Sequence, residues 1–220
     1  MKKKDSKPPV YYPIFLNIEN KKCVVVGGGQ VALRKVKMLL ECRAKVVVIS
    51  PEMHRDLTRL AKGKAIQWIK RDYEQGDLKG AFIVIAATDE EETNKRIANE
   101  GKERGIFSNV VDHSELSDFI VPSFFRRGGL TVAISTSGMS PALARKIRAT
   151  LEKSFGEEFS LLLSLVKDVR SELKYQRKKV SAEAWQKALD LDLLMGLLRA
   201  GQQEEAKAVL LGKLMKNQTI

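Results

Sequence analysis

The sequence predicts an α/β fold: a doubly wound parallel sheet, then a small β-containing segment, then a helical C-terminal module. Three observations carry this. Short runs of valine and isoleucine alternate with amphipathic stretches between residues 22 and 111, the order expected of strands joined by crossover helices. Those runs have no polar face, as strands covered on both sides do not. Beyond residue 140 the runs give way to helical periodicity.

Taken in order, Tyr11-Tyr12-Pro13-Ile14-Phe15-Leu16-Asn17-Ile18 is an apolar lead-in, read as a short edge piece. Cys23 to Val26 is too short for a helix, ends at glycines and makes the first strand. A helix follows to about Cys42, with Val31, Val36, Leu39 and Leu40 at helical spacing and Arg34, Lys35 and Lys37 mostly on the other side. Between strand and helix, Gly27-x-Gly29-x-x-Ala32 fits the G-x-G-x-x-G/A fingerprint. Its first glycine turns the chain, its second lets a pyrophosphate approach the backbone, and its small third residue packs helix on strand. Gly27, Gly28, Gly29, Gln30 and Val31 are thus candidates for holding a dinucleotide at a helix N-terminus.

Lys45 to Ser50 is the second strand, and Ser50-Pro51 is expected to open a helix, with serine as cap and proline at its first position. A specific NAD site usually ends this strand in Asp or Glu. Here the chain reads Val48-Ile49-Ser50-Pro51-Glu52, so Ser50 and Pro51 are the candidates beside the ribose and the residues leave NAD or NADP open. Ala65 to Ile69 is the third strand and Ala81 to Ala87 the fourth. Thr88-Asp89 caps a helix from Glu90 to Arg104 that Gly105 stops. Thr88, at the end of the fourth strand, is expected to face the same crevice as the glycine loop, and Thr88 and Asp89 are further cofactor candidates. Ile106 to Val111 is the fifth strand. Phe119 to Pro122 and Leu130 to Ile134 read as strands joined through Phe124 to Gly129, and Ser140-Pro141 opens a helix with Leu143, Ile147 and Leu151 at i, i+4, i+8. Helices are expected at about 157–176, 181–199 and 202–216. Trp185, Leu189, Leu193, Leu194 and Leu197 form an apolar stripe read as core or dimer packing. The division is a disordered basic tail at 1–9, a Rossmann domain at 10–113, a linking and dimerisation segment at 114–150, and a helical module at 151–220.

Composition narrows the function. The chain has 39 basic and 27 acidic residues, a formal +12. The excess is spread out: 22 basic and 15 acidic residues fall in 1–113, and 17 and 12 in 114–220. Nucleic-acid proteins concentrate charge and interleave aromatics; here aromatics are 6% and no long basic run occurs, so a small anionic partner fits better. No apolar run nears the roughly 20 residues of a membrane span, and no apolar signal core follows the basic start. Cys23 and Cys42 suit a reducing cytoplasm and make neither a disulfide framework nor a metal cluster.

Five motifs stand in series: Gly27-Gly28-Gly29-x-Val31-Ala32-x-Arg34-Lys35, Ala86-Ala87-Thr88-Asp89, Asn109-Val110-Val111-Asp112, Phe119-Ile120-x-Pro122-Ser123 and Ser135-Thr136-Ser137-Gly138-x-Ser140-Pro141. With them the chain, over about residues 10–175, resembles the precorrin-2 dehydrogenase/sirohydrochlorin ferrochelatase family, the N-terminal module of siroheme synthase. The resemblance implies NAD as cofactor, oxidation of precorrin-2 to sirohydrochlorin, and in many members insertion of ferrous iron as a second substrate. It also implies a homodimer that exchanges the segment near 114–150. Asp112, at the end of the fifth strand, is by resemblance the residue used in both reactions; its position alone would equally suit a turn-forming Asp. The substrate's carboxylates call for donors, and Asn109, Ser135, Thr136, Ser137 and Arg145 are the candidates, with Arg126, Arg127 and Arg148 nearby. His113 is discounted because neighbours on an extended strand face opposite ways, and His54 reads as an exposed helix residue. No resident metal site is expected. The rival reading is a dinucleotide-sensing module without catalysis, which gives Asn109 to Asp112 no task.

Overall fold

A computed structural model describes residues 10–216; the tail expected at 1–9 lies outside the described residues. The chain divides at Val121 and Pro122 into two compact units.

The first unit is built on a five-stranded parallel sheet: β1 Lys22–Val26, β2 Lys45–Ile49, β3 Gln67–Ile69, β4 Ile83–Ala86 and β5 Phe107–Val110, in the order β3-β2-β1-β4-β5. Period-two alternation sends Val25, Val46, Val48, Ile83 and Ile85 to one face. Val24, Val26, Val47, Ile49, Val84 and Ala86 go to the other. Both faces of the central strands β1, β2 and β4 are buried, which is why their inner residues read as unbroken apolar runs. Helix α1 (Gln30–Glu41) covers the first face with Ala32, Leu33, Val36 and Leu39, and α2 (Arg55–Lys62) adds Leu57. Helix α3 (Glu91–Arg104) covers the second with Ile97 and Ala98. Gly105 ends α3 in the left-handed conformation, φ 65°, as its sequence position suggests.

Local order departs from expectation at two places in this unit. No helix starts at Ser50-Pro51. Residues 51–54 wrap the glycine loop, the His54 N–H donating to the Gly28 carbonyl at 2.7 Å, so α2 starts only at Arg55. His54 is its cap, accepting through Nδ1 from the Asp56 N–H at 3.1 Å, rather than an exposed helix residue. Likewise Phe119 to Pro122 is not a strand. The chain from Ser114 to Phe119 is pinned along β5 by side chains: Ser108 N–H donates to Asp118 Oδ2 at 2.9 Å, Val110 N–H to Ser117 Oγ at 2.9 Å, and Asn109 Nδ2 to the Phe119 carbonyl at 3.0 Å. Side chains take the Ser108 and Val110 N–H groups that a ladder would need, while the Asp118 N–H donates to the Ser108 carbonyl at 2.8 Å.

The second unit opens with an antiparallel hairpin, β6 Ser123–Arg127 and β7 Leu130–Ile134. Phe124 to Arg127, expected as a connection, are therefore strand, and only Gly128-Gly129 turn. Helix α4 (Pro141–Glu152) starts where Ser140 Oγ accepts from the Leu143 N–H at 3.2 Å. Four helices follow: α5 Glu158–Tyr175, α6 Ala182–Ala188, α7 Leu191–Arg199 and α8 Gln203–Lys216. Leu162, Leu165, Val169 and Leu173 pack with Leu194, Met195, Leu198, Leu210 and Leu214. The single helix expected over 181–199 is broken, because Asp190 caps α7 by accepting from the Leu193 N–H and is held by Lys213 at 2.7 Å. The break turns the expected stripe: Leu194 is buried but Leu193 is exposed.

Candidate active site

The crevice lies at the carboxyl ends of β1 and β4, where the strand order reverses and doubly wound sheets hold ligands. Three segments build it. After β1, Gly27 adopts φ 116°, and a Cβ there would overlap the Ala87 carbonyl oxygen at the end of β4. A Cβ on Gly28 would overlap the Glu52 carbonyl oxygen and stand 2.8 Å from Ser50 Oγ. These two glycines are packing requirements. Gly29 differs: it caps α1 at φ −80°, and a Cβ there would meet nothing within 4 Å. No side chain caps α1, its first turn holds no acidic residue, and its first internal hydrogen bond is Leu33 N–H to the Gly29 carbonyl. The N–H groups of Gln30, Val31 and Ala32 thus point into an open, uncapped cradle. A diphosphate fits it.

The other cofactor candidates are less free. Ser50 is buried, its hydroxyl donating to the Glu52 carbonyl at 2.6 Å and its carbonyl accepting from Trp68 Nε1 at 2.9 Å. It shapes the wall behind Gly28, while Pro51 is exposed. The Glu52 carbonyl completes this wall, while the residue itself is exposed. Thr88 donates through Oγ1 to Asn94 Oδ1 at 2.8 Å and accepts from Asn94 Nδ2 through its carbonyl at 2.9 Å. The start of α3 is fixed by this pair rather than by a cap on Asp89, which is exposed.

Asp112 follows β5 in a turn, at φ 63°, with its carboxylate exposed. The left-handed region is where Asp and Asn are the tolerated non-glycine residues. Since the chain is already turning there, the extended-strand ground for discounting His113 does not apply; its Nδ1 lies 3.0 Å from Glu115 Oε1. Asn109 is buried, and both ends of its amide are engaged: Nδ2 on the Phe119 carbonyl and Oδ1 with Lys35 Nζ at 3.4 Å.

Lys35 is the residue that sequence reasoning passed over. The helical spacing puts it, with Arg34 and Lys37, mostly on the side away from the apolar stripe, yet it is half-buried while those two are exposed. The signal was present: Lys35 is four residues from both Val31 and Leu39, hence on their face. Burial pulls its ammonium below the ordinary lysine range, Arg34 pulls the same way, and Asp112 opposes them.

Ser135, Thr136, Ser137 and Arg145 belong to the second unit. Ser135 Oγ accepts from the Ser137 N–H at 3.0 Å and Thr136 Oγ1 from the Ser140 N–H at 3.1 Å, with Ser137 at φ 52°. Arg127 and Arg148 both pair with Glu152, and Arg126 stacks on Phe124 at 5.0 Å. Arg145 is exposed and forms no ion pair or side-chain hydrogen bond among the described residues. No group of three His, Cys, Asp or Glu residues suited to a metal ion occurs among the described residues.

The family described as "Putative NAD(P)-binding" matches residues 14–123, and "Sirohaem biosynthesis protein central" matches 127–154. Siroheme synthase 1 of Aeromonas salmonicida is 35% identical over 198 residues, 89% of this chain and 42% of that protein. Siroheme synthase of Nitrosococcus oceani is 37% identical over 202 residues, 91% of this chain and 43% of that protein. The chain thus spans less than half the length of these curated relatives. Among solved structures, "SirC, precorrin-2 dehydrogenase" superposes with a TM-score of 0.74 at 23% identity, covering 91% of this chain and 98% of that one, a likeness of fold.

Proposed function

The chain belongs to the NAD(P)-binding family matched over residues 14–123, here continued by the sirohaem central segment, and from that membership we propose that it is an NAD-dependent precorrin-2 dehydrogenase. The observation that carries the reading is the pairing, at one sheet edge, of an uncapped helix head beyond Gly29 with the exposed carboxylate of Asp112. Oxidation to sirohydrochlorin removes a hydride and a proton. NAD, when bound, supplies the hydride acceptor. The N–H groups of Gln30, Val31 and Ala32 hold its diphosphate, with Gly27 and Gly28 keeping the loop low and the Ser50-Pro51 and Thr88-Asp89 segments bordering it. Asp112 takes the proton as general base.

The relatives' names support a tetrapyrrole substrate, and the donors Ser135, Thr136, Ser137 and Arg145 are assigned to its carboxylates. In functional terms 10–113 is the nucleotide domain, 114–150 the segment exchanged in a homodimer, and 151–220 a helical support. The exposed Met139, Leu143 and Leu151 suit such an exchange. Two free cysteines suit a cytoplasmic enzyme, and no described helix is long and apolar enough to cross a membrane. Ferrous iron, if inserted, is a second substrate using the same base. An anaerobic assay with precorrin-2 and NAD, following NADH, tests the reading. NAD binding without turnover would leave the sensing module in its place. A parallel assay with sirohydrochlorin and ferrous iron, without NAD, separates the bifunctional from the dehydrogenase-only enzyme.

A further inference from the structure

Lys35 stands out among the cations of the first unit. Arg71 has Asp77 at 2.7 Å, Arg104 has Glu100 at 2.7 Å and Lys95 has Glu91 at 2.8 Å. Lys35 is half-buried, yet its sole hydrogen bond among the described residues is the 3.4 Å contact to the neutral Asn109 Oδ1, and no carboxylate lies within ion-pair distance. A desolvated charge is costly unless it is paired, and an ammonium has three N–H donors. Asn109 is buried and held by the Phe119 carbonyl, so it offers the ammonium one long, neutral acceptor.

We propose that Lys35 is a substrate-binding residue whose ammonium receives one carboxylate of the macrocycle next to Asp112. The inference rests on the function proposed above. The dinucleotide's phosphates are a competing source of negative charge, but Lys35 lies six residues past Gly29, about 9 Å along α1, and is tethered toward β5 rather than toward the glycine loop. The charged groups that bear on Lys35 are Arg34 on its own helix and Asp112 beyond β5; His113 and Glu115 engage each other.

Lys35→Met and Lys35→Arg test this. Lys35→Met should raise KM for precorrin-2 about tenfold, with kcat and the Kd for NAD within about twofold of wild type. Lys35→Arg should recover most of the loss. As pH rises, wild-type KM should climb when the ammonium deprotonates below the ordinary lysine range, while the Arg variant stays flat because guanidinium keeps its charge. Binding of uroporphyrin, an eight-carboxylate macrocycle, read by tryptophan quenching, should weaken in Lys35→Met by a similar factor. An unchanged KM and uroporphyrin affinity, or a loss that appears in NAD binding, overturns the assignment. Lys35-dependent uroporphyrin binding without turnover of precorrin-2 by wild type upholds Lys35 and defeats the dehydrogenase reading instead.

Discussion

Replacing Gly29 with alanine isolates the role of the helix head, because nothing in the fold needs that glycine. Its φ of −80° and ψ of −169° are open to alanine, and the new methyl meets no atom within 4 Å. Alanine is a poorer cap than glycine by about 0.5–1 kcal/mol, which moves the melting temperature by only a few degrees, on the order of 3 °C. A dinucleotide phosphate is affected differently, since the methyl fills the space through which it reaches the N–H groups of α1. Loss of one charge-assisted hydrogen bond costs about 2 kcal/mol, so Kd for NAD should rise roughly 30-fold. Calorimetric titration with NAD reads the affinity and circular dichroism the melting. Gly27→Ala is the contrasting control: at φ 116°, with its methyl overlapping the Ala87 carbonyl, it should cost at least about 3 kcal/mol of stability. A Gly29→Ala protein that is folded and binds NAD within about threefold of wild type would refute the placement of the phosphates.

Asp112→Asn should keep the turn, since Asn tolerates φ 63°, and should keep NAD affinity. It should lower kcat for precorrin-2 by about 10²–10⁴; full turnover in a stopped-flow assay would remove Asp112 from the chemistry. Glu100 makes a prediction about acid stability. Burial pushes its carboxyl up, but hydrogen bonds from Tyr73, the Gly76 N–H and Arg104 outweigh this and hold it below the usual range. With the folded value depressed, its contribution is fully present above the unfolded value of about 4.3 and is lost as pH falls through the folded one. Glu100→Gln should cost about 2 kcal/mol at neutral pH and flatten the acid limb in urea titrations from pH 7 to 3.

Much of the scaffold was legible because its causes are local. Cys23 to Val26, Val46 to Ile49 and Ile83 to Ala86 are apolar at every position, as strands buried on both faces are. Gly105 and Ser140 each mark a helix end by their own backbone or hydroxyl. Asp112 could be located in the same way, as the first polar residue after a buried strand. What the chain order could not show depends on groups brought together from afar. His54 N–H is drawn to the Gly28 carbonyl, so α2 starts at Arg55 and not after Ser50. Asp190 meets Lys213, so one helix becomes two. Asn109 is held by the Phe119 carbonyl and accepts from Lys35, so a lysine counted with the solvent face becomes a half-buried cation. By itself the sequence determined the sheet, the glycine loop and the carboxylate at the end of β5, because period, apolarity and capping act between near neighbours. Only the tertiary structure decided which glycine leaves room for a ligand and which lysine of α1 is half-buried, because clearance and desolvation are properties of the surroundings and not of the residue.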